Sequence, residues 1–219
     1  MNLDKRKTGK IFSFLAIALG ILVLSGCVNS NKKGIGKFRT VVVDAGHGGT
    51  DRGACNNGGV EAKINFEVAN RTASILKRKY GFNIVRTRRS DTFVSLPDRS
   101  KIANRTRNAI FVSIHSNSAP NRSAYGVEVF YRDARTQRLA ATISNNITRS
   151  YPTQNRGVKR ANFFVLRETR IPALLCEIGF LSNPRECQYL LRPQVKQRIA
   201  QGIASAIASE AARSGKKKK

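Results

Sequence analysis

Short apolar segments alternate with segments of helical periodicity along this sequence, and no other feature constrains the fold as strongly. Strands are predicted for the apolar runs at 40–44, 82–85, 109–115, 126–131, 163–166 and 173–178. Apolar residues recur at helical spacing in 61–80, 139–147 and 195–207. Because strands without a polar face are buried on both sides, we expect an α/β fold: a mostly parallel, twisted sheet covered by helices on both faces.

The length favours one domain of ordinary size. With 219 residues, 41% of them hydrophobic, the chain is long enough for one well-filled core. We expect this domain to span residues 39–212. Residues 27–38 are polar and contain glycine, which predicts a flexible linker, and residues 213–219 predict a basic, solvated tail.

The first 26 residues have the pattern of a signal peptide. Four basic residues precede an uncharged run of 14 residues, 11–24, which is shorter than the roughly 20 residues that span a bilayer. The sequence Leu24-Ser25-Gly26-Cys27 resembles the lipobox of bacterial lipoproteins, which implies a lipid on Cys27. The alternative is an ordinary signal peptide in which Cys27 is incidental. Either form predicts export, and the lipidated form predicts a membrane-anchored protein of the cell envelope.

The charge balance predicts an attraction to polyanions. The chain has 40 Lys and Arg against 13 Asp and Glu, a net charge of +27. Removing residues 1–26, which hold four basic residues and one acidic residue, would leave +24. Export and the lack of a nucleic-acid-binding motif argue against a nucleic-acid partner. Anionic lipid and anionic wall polymers remain as partners of this charge, and we expect a membrane contact through the lipid on Cys27 and the basic surface.

Both histidines of the chain follow apolar strands, at the position where active sites of α/β folds collect. His47 follows the first strand and His115 ends the third, while Glu61 opens a helix after a glycine-rich loop. Two imidazoles and one carboxylate suit a catalytic zinc ion and several other first-row metals. Glu177 interrupts the apolar run at 171–180, where an unpaired carboxylate is costly, and it is the candidate general base.

Each of these signals has an ordinary structural explanation. A histidine after a strand is more often a packed or hydrogen-bonded residue than a ligand. A glutamate in the first turn of a helix, such as Glu61, interacts favourably with the helix dipole. The combination of all four residues favours a catalytic site.

Four segments resemble the Amidase_3-type N-acetylmuramoyl-L-alanine amidases. They are residues 43–54 (VDAGHGGTDRGA), 59–61 (GVE), 113–118 (SIHSNS) and 172–183 (PALLCEIGFLSN), and the resemblance extends over about 39–210. The resemblance implies that His47, Glu61 and His115 bind one Zn²⁺ and that Glu177 is the catalytic carboxylate. It also implies hydrolysis of the amide bond between N-acetylmuramic acid and L-alanine in peptidoglycan, for wall remodelling or cell separation and division.

Other polar residues are weaker candidates. Asp44, Ser116 and Asn117 adjoin the predicted ligands and are candidate supporting or substrate-binding residues, although ordinary turn chemistry also explains them. Glu67 and Glu128 are expected to be solvent-exposed. The arginines expected on a solvated surface include Arg86, Arg88, Arg89, Arg105 and Arg107. No chemistry is assigned to Cys55, Cys176 or Cys187.

Two rival functions share this fold and tether. One is a non-catalytic peptidoglycan-binding or regulatory lipoprotein, and the other is a zinc peptidase that acts on the stem peptide. Retention of all four polar site residues argues against the first, and only the family resemblance argues against the second. We expect a monomer, with no protein activator identified. Val28 after Cys27 is consistent with outer-membrane delivery if the bacterium has two membranes.

Overall fold

A computed structural model describes residues 35–215 of the chain. The predicted signal peptide, the lipid on Cys27 and the lysine run at 216–219 lie outside the described residues. The strands are β1 (Thr40–Ala45), β2 (Cys55–Asn56), β3 (Gly59–Val60), β4 (Asn83–Arg86), β5 (Ala109–Asn117), β6 (Val127–Tyr131), β7 (Asn155–Arg160) and β8 (Ala173–Phe180). The α-helices are α1 (Glu61–Tyr80), α2 (Leu96–Asn104), α3 (Gln137–Thr148), α4 (Phe164–Glu168), α5 (Pro184–Leu191) and α6 (Pro193–Gly215).

Six strands form one sheet in the order β4-β1-β5-β8-β6-β7. All neighbours pair in parallel except β6, which runs antiparallel to β8. The predicted mostly parallel α/β sheet is therefore confirmed. We call the edge at which β1, β5 and β8 end the upper edge, and the edge at which they begin the lower edge.

Alternate residues of the central strands are buried on opposite faces of the sheet, as the two-residue period of a strand requires. One face, with Val41, Val43 and Ile110, packs against α1, α3, α5 and α6. The other face, with Val42 and Phe111, packs against α2 and α4. Both faces are covered, which explains why the central strands read as continuous apolar runs.

Local signals set the helix ends near the site. Helix α1 begins at Glu61 and ends at Tyr80, and it is capped by Gly81, whose left-handed φ of 70° is accessible to glycine without strain. Helix α2 begins after Ser95, whose side chain accepts a hydrogen bond from the Asp98 amide. Helix α1 lies between the upper end of β1 and the lower end of β4, and α2 lies between the upper end of β4 and the lower end of β5, so both run from the upper edge toward the lower edge.

Three local predictions differ from the structure. The apolar run at 163–166, predicted as a strand, forms the short helix α4, because a run of four apolar residues does not distinguish strand from buried helix. Strand β7 was not predicted, since its sequence (NRGVKR) is polar and lies at the edge of the sheet. Helix α5 was also missed.

Within residues 35–215, no helix is both long enough and apolar enough to span a membrane.

Candidate metal-centred active site

The upper edge brings together three of the four residues singled out in the sequence. His47 follows β1, Glu61 opens α1 and His115 lies near the end of β5. One ligand atom from each residue lies within 4.8 Å of the other two. His47 Nε2 is 3.1 Å and His115 Nδ1 is 3.0 Å from the same oxygen, Glu61 Oε1. The three side chains thus converge on one point and form a candidate metal site.

His47 is held in a strained backbone conformation. Its φ of 60° is uncommon for a residue that is not glycine. Arg99 donates a hydrogen bond from Nη2 to the His47 carbonyl at 2.9 Å, and Asp51 Oδ2 lies 2.8 Å from His47 Nδ1. The Asp51 contact leaves Nε2 facing the site and fixes the orientation of the ring, as carboxylates commonly do behind metal-binding histidines.

Both carboxylate oxygens of Glu61 are fixed. Oε2 accepts a hydrogen bond from the Ala54 amide at 2.9 Å. Oε1 accepts from the Ser116 amide at 3.2 Å and from Asn65 Nδ2 at 3.3 Å, in addition to its histidine contacts. Burial disfavours the charged form, but the hydrogen bonds from the two histidines outweigh it and lower the pKa of Glu61 well below its usual range. Glu61 therefore carries a negative charge at any physiological pH.

The site is arranged for a positive charge. Burial of the His47 ring opposes protonation, yet the hydrogen bonds to Glu61 and Asp51 raise its pKa to about 9. The carboxylates that favour a proton on His47 would equally favour a metal cation at this point. Glycine lines this space: a Cβ at Gly46 would overlap the His115 ring, and one at Gly53 would lie 2.6 Å from Glu61 Oε2. The donor set and this glycine cradle fit a metal ion with a nitrogen and oxygen ligand set.

Glu177 lies beside the three candidate ligands. It is on β8, opposite His115 of β5 in the sheet register, and its Oε2 is buried without a hydrogen-bond partner among the described residues. Burial raises the pKa of Glu177 to about 7, while the neighbouring His115 opposes this shift and Glu61 and Glu128 add to it. A carboxyl group with this pKa both accepts and releases a proton near neutral pH.

Glu128 is buried, which corrects the expectation that it is exposed. It is opposite Glu177 on the antiparallel strand β6, and only 5% of its surface is accessible. Its Oε1 lies 2.5 Å from Arg156 Nε and 2.8 Å from Lys159 Nζ. Burial opposes ionisation, but these two cations outweigh it and lower the pKa of Glu128. The other acidic residue expected on the surface, Glu67, is partly exposed, and its Oε2 lies 2.7 Å from Lys196 Nζ.

Asp44 anchors a buried network beneath the site. Its Oδ1 accepts hydrogen bonds from Thr87 Oγ1 and Arg99 Nη1, both at 2.6 Å, and its Oδ2 accepts from Ser113 Oγ at 2.6 Å. Arg99 also donates to the Ala45 carbonyl at 2.6 Å. Asp44 therefore acts through Arg99 on the backbone that carries His47.

Arg88 is a second buried arginine behind the site, contrary to the expectation of a solvated side chain. Its guanidinium donates to the carbonyls of Ala45, Gly46 and Ala62, at 3.0, 3.3 and 2.7 Å. These bonds join the end of β1 to the first turn of α1. Burial, reinforced by the nearby charge of Arg99, lowers the pKa of Arg88.

The remaining candidates differ in their contacts. Ser116 supports the site, because its amide binds Glu61 and its hydroxyl donates to Asn65 Oδ1 at 2.9 Å. Asn117 accepts a hydrogen bond from the Ser118 amide, which is ordinary turn chemistry. Among the cysteines, Cys176 and Cys187 are buried and Cys55 is exposed, all three as free thiols.

Sequence reasoning missed four residues of the site: Asp51, Asn65, Arg88 and Arg99. Asn65 had a readable signal, since it lies four residues after Glu61 on the buried face of α1. Asp51 also lies four residues after a ligand, but in a loop where this spacing predicts no contact. The two arginines are recognised only once the sheet brings α2 and the loop after β4 to the end of β1.

A cleft of about 240 Å³ opens beside His47 and His115. Two of its lining side chains are large and exposed, Phe93 at 56% and Leu96 at 50%. The other apolar lining residues are Val94, Pro97, Phe164 and Val165. An opening with an apolar lip thus lies beside two of the three candidate ligands.

The sequence matches a known family. The Amidase_3 family, described as N-acetylmuramoyl-L-alanine amidase, matches residues 41–209. The uncharacterized protein YqiI of Bacillus subtilis (strain 168) is 36% identical over 199 residues, which cover 89% of this chain and 95% of YqiI. The N-acetylmuramoyl-L-alanine amidase LytC of the same organism is 34% identical over 168 residues, 75% of this chain but only 34% of LytC.

The fold also matches a solved structure. The catalytic domain of CwlV, an N-acetylmuramoyl-L-alanine amidase from Bacillus (Paenibacillus) polymyxa var. colistinus, superposes with a TM-score of 0.75 and 36% identity. The match covers 78% of this chain and 97% of the CwlV chain. The solved CwlV chain is a catalytic domain by itself, so this fold forms without a preceding segment in that protein.

Proposed function

Because this chain belongs to the Amidase_3 family of N-acetylmuramoyl-L-alanine amidases, we propose that it is a zinc-dependent amidase of the bacterial cell wall. The reaction is hydrolysis of the amide bond between N-acetylmuramic acid and the L-alanine of the stem peptide in peptidoglycan. The observation that carries the proposal is the convergence of His47, Glu61 and His115 on one point beside the buried carboxyl group of Glu177.

The ligand set supports zinc as the metal. His47, Glu61 and His115 would hold the ion, and three protein ligands leave one position for water or substrate, as in other catalytic zinc sites. When bound, zinc supplies Lewis acidity, which polarises a carbonyl group and makes water a stronger acid. Asp51 and Arg99 hold His47 in place, so this ligand is oriented before the ion binds.

Glu177 performs the proton transfers. In its ionised form it accepts a proton from the attacking water, whose oxygen forms a bond to the lactyl carbonyl carbon. The C–N bond then breaks, and Glu177 passes the proton to the leaving amine of L-alanine. The proton donated to the amine is thus the one taken from water, and the carboxylate is regenerated. A pKa of about 7 suits both steps.

The cellular setting proposed here rests on the sequence. The signal-peptide pattern at 1–26 and the lipobox-like residues ending at Cys27 support export and lipid anchoring in the cell envelope. This setting would give a monomeric enzyme access to peptidoglycan from the membrane side during wall remodelling or cell separation. Labelling of the expressed chain with a fatty-acid probe, lost in Cys27→Ser, tests the anchor. Equal labelling of both forms would contradict it.

Product analysis distinguishes this function from its rivals. Purified peptidoglycan is digested with residues 28–219 and zinc, and the products are identified by mass spectrometry. The proposal predicts intact stem peptides with a free L-alanine amino group, and no such products with a chelator. Cleavage within the peptide would indicate a peptidase. Absence of any product from a protein with bound zinc would indicate a non-catalytic binding protein.

A further inference from the structure

The lower edge of the sheet carries a broad set of exposed basic side chains. They come from the segment before β1, the end of α1, the α2–β5 loop, the ends of β6 and β7, and the turn before β8. The residues are Lys37, Arg39, Lys77, Arg105, Arg107, Arg132, Arg160 and Arg170. Within residues 35–215, none of these eight side chains forms an ion pair. Their charge is therefore not neutralised by the protein itself.

The acidic residues nearest this edge already have partners. Ion pairs join Asp133 to Arg135, Glu168 to Arg167 and Glu210 to Arg138. Other carboxylates of the described chain, by contrast, gather at the upper edge around the candidate site; they include Glu61, Glu177, Asp44, Asp51, Asp91 and Asp98. The domain thus has one edge with surplus positive charge and an opposite edge that holds the catalytic groups.

We propose that the lower edge docks on an anionic lipid bilayer and that the metal site faces away from it. This inference rests on the envelope location proposed above. Residues 35–39 lead into β1 at the lower edge, where the Arg39 amide binds the Asn108 carbonyl, so the preceding chain with the proposed anchor joins the domain on this side. Four lysines also follow α6 in the sequence, and α6 ends beside Tyr80 and Phe82 at the same edge.

The extent of the surface favours a bilayer over a single polymer chain. Six neighbouring strands at a spacing of about 4.8 Å make the edge about 24 Å wide. At one place the surface is concave: Arg132, Arg160, Arg167 and Arg170 line a cleft of about 370 Å³. Guanidinium groups bind phosphate oxygens in a bidentate manner, so this cleft suits the phosphate of a lipid headgroup.

Docking in this manner would orient the enzyme. Strand β5 has nine residues, so its two ends are about 26 Å apart. With the lower edge on the bilayer, the cleft beside His47 and His115 opens toward the wall rather than toward lipid. The anchor holds the enzyme at the membrane, and the charged edge selects one orientation.

Vesicle binding by two charge-matched variants tests this proposal. In the first, Arg105, Arg107, Arg160 and Arg170 at the lower edge are all changed to Gln. In the second, four exposed basic residues of the upper edge without ion pairs are changed to Gln: Lys63, Arg86, Arg89 and Arg185. Residues 28–219 are sedimented with vesicles of phosphatidylcholine alone or with about one third phosphatidylglycerol.

We expect the unsubstituted protein to bind only the phosphatidylglycerol vesicles, and to be released by high salt. The lower-edge variant should have at least about a hundredfold lower affinity for these vesicles, because each basic residue near an anionic surface contributes about fivefold. The upper-edge variant should lose less than about fivefold in affinity. Equal losses in both variants would overturn the proposal, and so would failure of the unsubstituted protein to bind. The unsubstituted protein could instead bind purified wall polymers and not vesicles. If only the lower-edge variant then lost this binding, the surface would be assigned to those polymers.

Two controls keep these outcomes interpretable. Thermal unfolding shows whether the variants are folded, and both sets of substitutions are on exposed side chains. Hydrolysis of soluble muramoyl-peptide fragments is measured on the same samples. Vesicle binding without hydrolysis would contradict the proposed function alone, and hydrolysis without vesicle binding would contradict the docking proposal alone.

Discussion

Arginines at the two edges of the sheet have opposite environments. At the upper edge, Arg88 and Arg99 are 4% and 2% exposed, and their guanidinium groups bind backbone carbonyls and Asp44 behind the metal site. At the lower edge, Arg107 and Arg170 are exposed and have no ion-pair partner among the described residues. The same residue type therefore fixes the geometry of the site at one edge and creates a positive field at the other.

This difference explains how a chain with such a large positive charge forms an ordered acidic site. Buried guanidinium groups neutralise Asp44 and hold the carbonyls of residues 45–47, so His47 is kept in its strained conformation. Exposed guanidinium groups interact with solvent ions and contribute little to stability. The following predictions test whether the two edges differ in this manner.

The largest expected effect is on catalysis at the upper edge. Glu177→Gln removes the proton acceptor and should lower kcat by about 10²–10⁴-fold, while zinc content is unchanged. The lower-edge substitution Glu168→Gln is the matched control and should leave kcat within about twofold. The rates are measured on soluble muramoyl-peptide fragments. A Glu177→Gln enzyme with near-normal kcat would rule out this residue as the general base.

Loss of the buried ion pair should have a large effect on stability. Arg99→Met leaves Asp44 buried without its cation and should lower the free energy of unfolding by about 3–5 kcal/mol. Arg107→Met, at the lower edge, should change it by less than about 0.5 kcal/mol. Urea unfolding of the metal-free proteins measures both values. Similar losses of unfolding free energy in the two variants would contradict the claim that arginines stabilise the fold at the upper edge and not at the lower edge.

A smaller effect is expected from the carboxylate behind His47. Asp51→Asn weakens the contact that orients the imidazole and should lower zinc affinity by about 10–100-fold, with little change in unfolding. Asp133→Asn, a lower-edge carboxylate that is also paired, should leave zinc affinity unchanged. Competition with a chelator gives both affinities. Unaltered affinity in Asp51→Asn would contradict a role of Asp51 in orienting His47 for zinc.

The smallest expected effect is the change in zinc affinity for each unit of pH. The pKa of His47 is raised to about 9 in the metal-free protein, so its proton is present at neutral pH and must leave when zinc binds. Below pH 9 this proton should lower zinc affinity by about tenfold for each pH unit, and above pH 9 the dependence should disappear. Affinities that are constant between pH 7 and 9 would contradict the raised pKa.

The fold was largely predictable because its signal repeats along the chain. Continuous apolar strands such as 109–115 have one explanation, burial on both faces, and they predicted the sheet and its helical layers. The mostly polar edge strand β7 and the short helix α4 were not predicted, because a six-residue polar segment or a run of four apolar residues does not determine a secondary structure without its neighbours.

The candidate site was predictable only in its central residues. His47, Glu61, His115 and Glu177 were found because the four together favour a catalytic site, and the structure brings all four to the upper edge. Arg88 and Glu128 were expected to be exposed, since burial of a charge depends on partners that are far away in sequence. Arg88 binds carbonyls 26 to 43 residues away, and Glu128 lies beside cations 28 and 31 residues away.

Stoichiometric reconstitution with zinc tests the central claim most directly. Residues 28–219 are stripped of metal, and zinc is added in steps while release of L-alanine-terminated stem peptide is measured. The account predicts no release from the stripped protein, a linear gain up to one zinc per chain, and no gain in His115→Ala. Full activity in the stripped protein, or normal reconstitution of His115→Ala, would contradict a catalytic metal site formed by His47, Glu61 and His115.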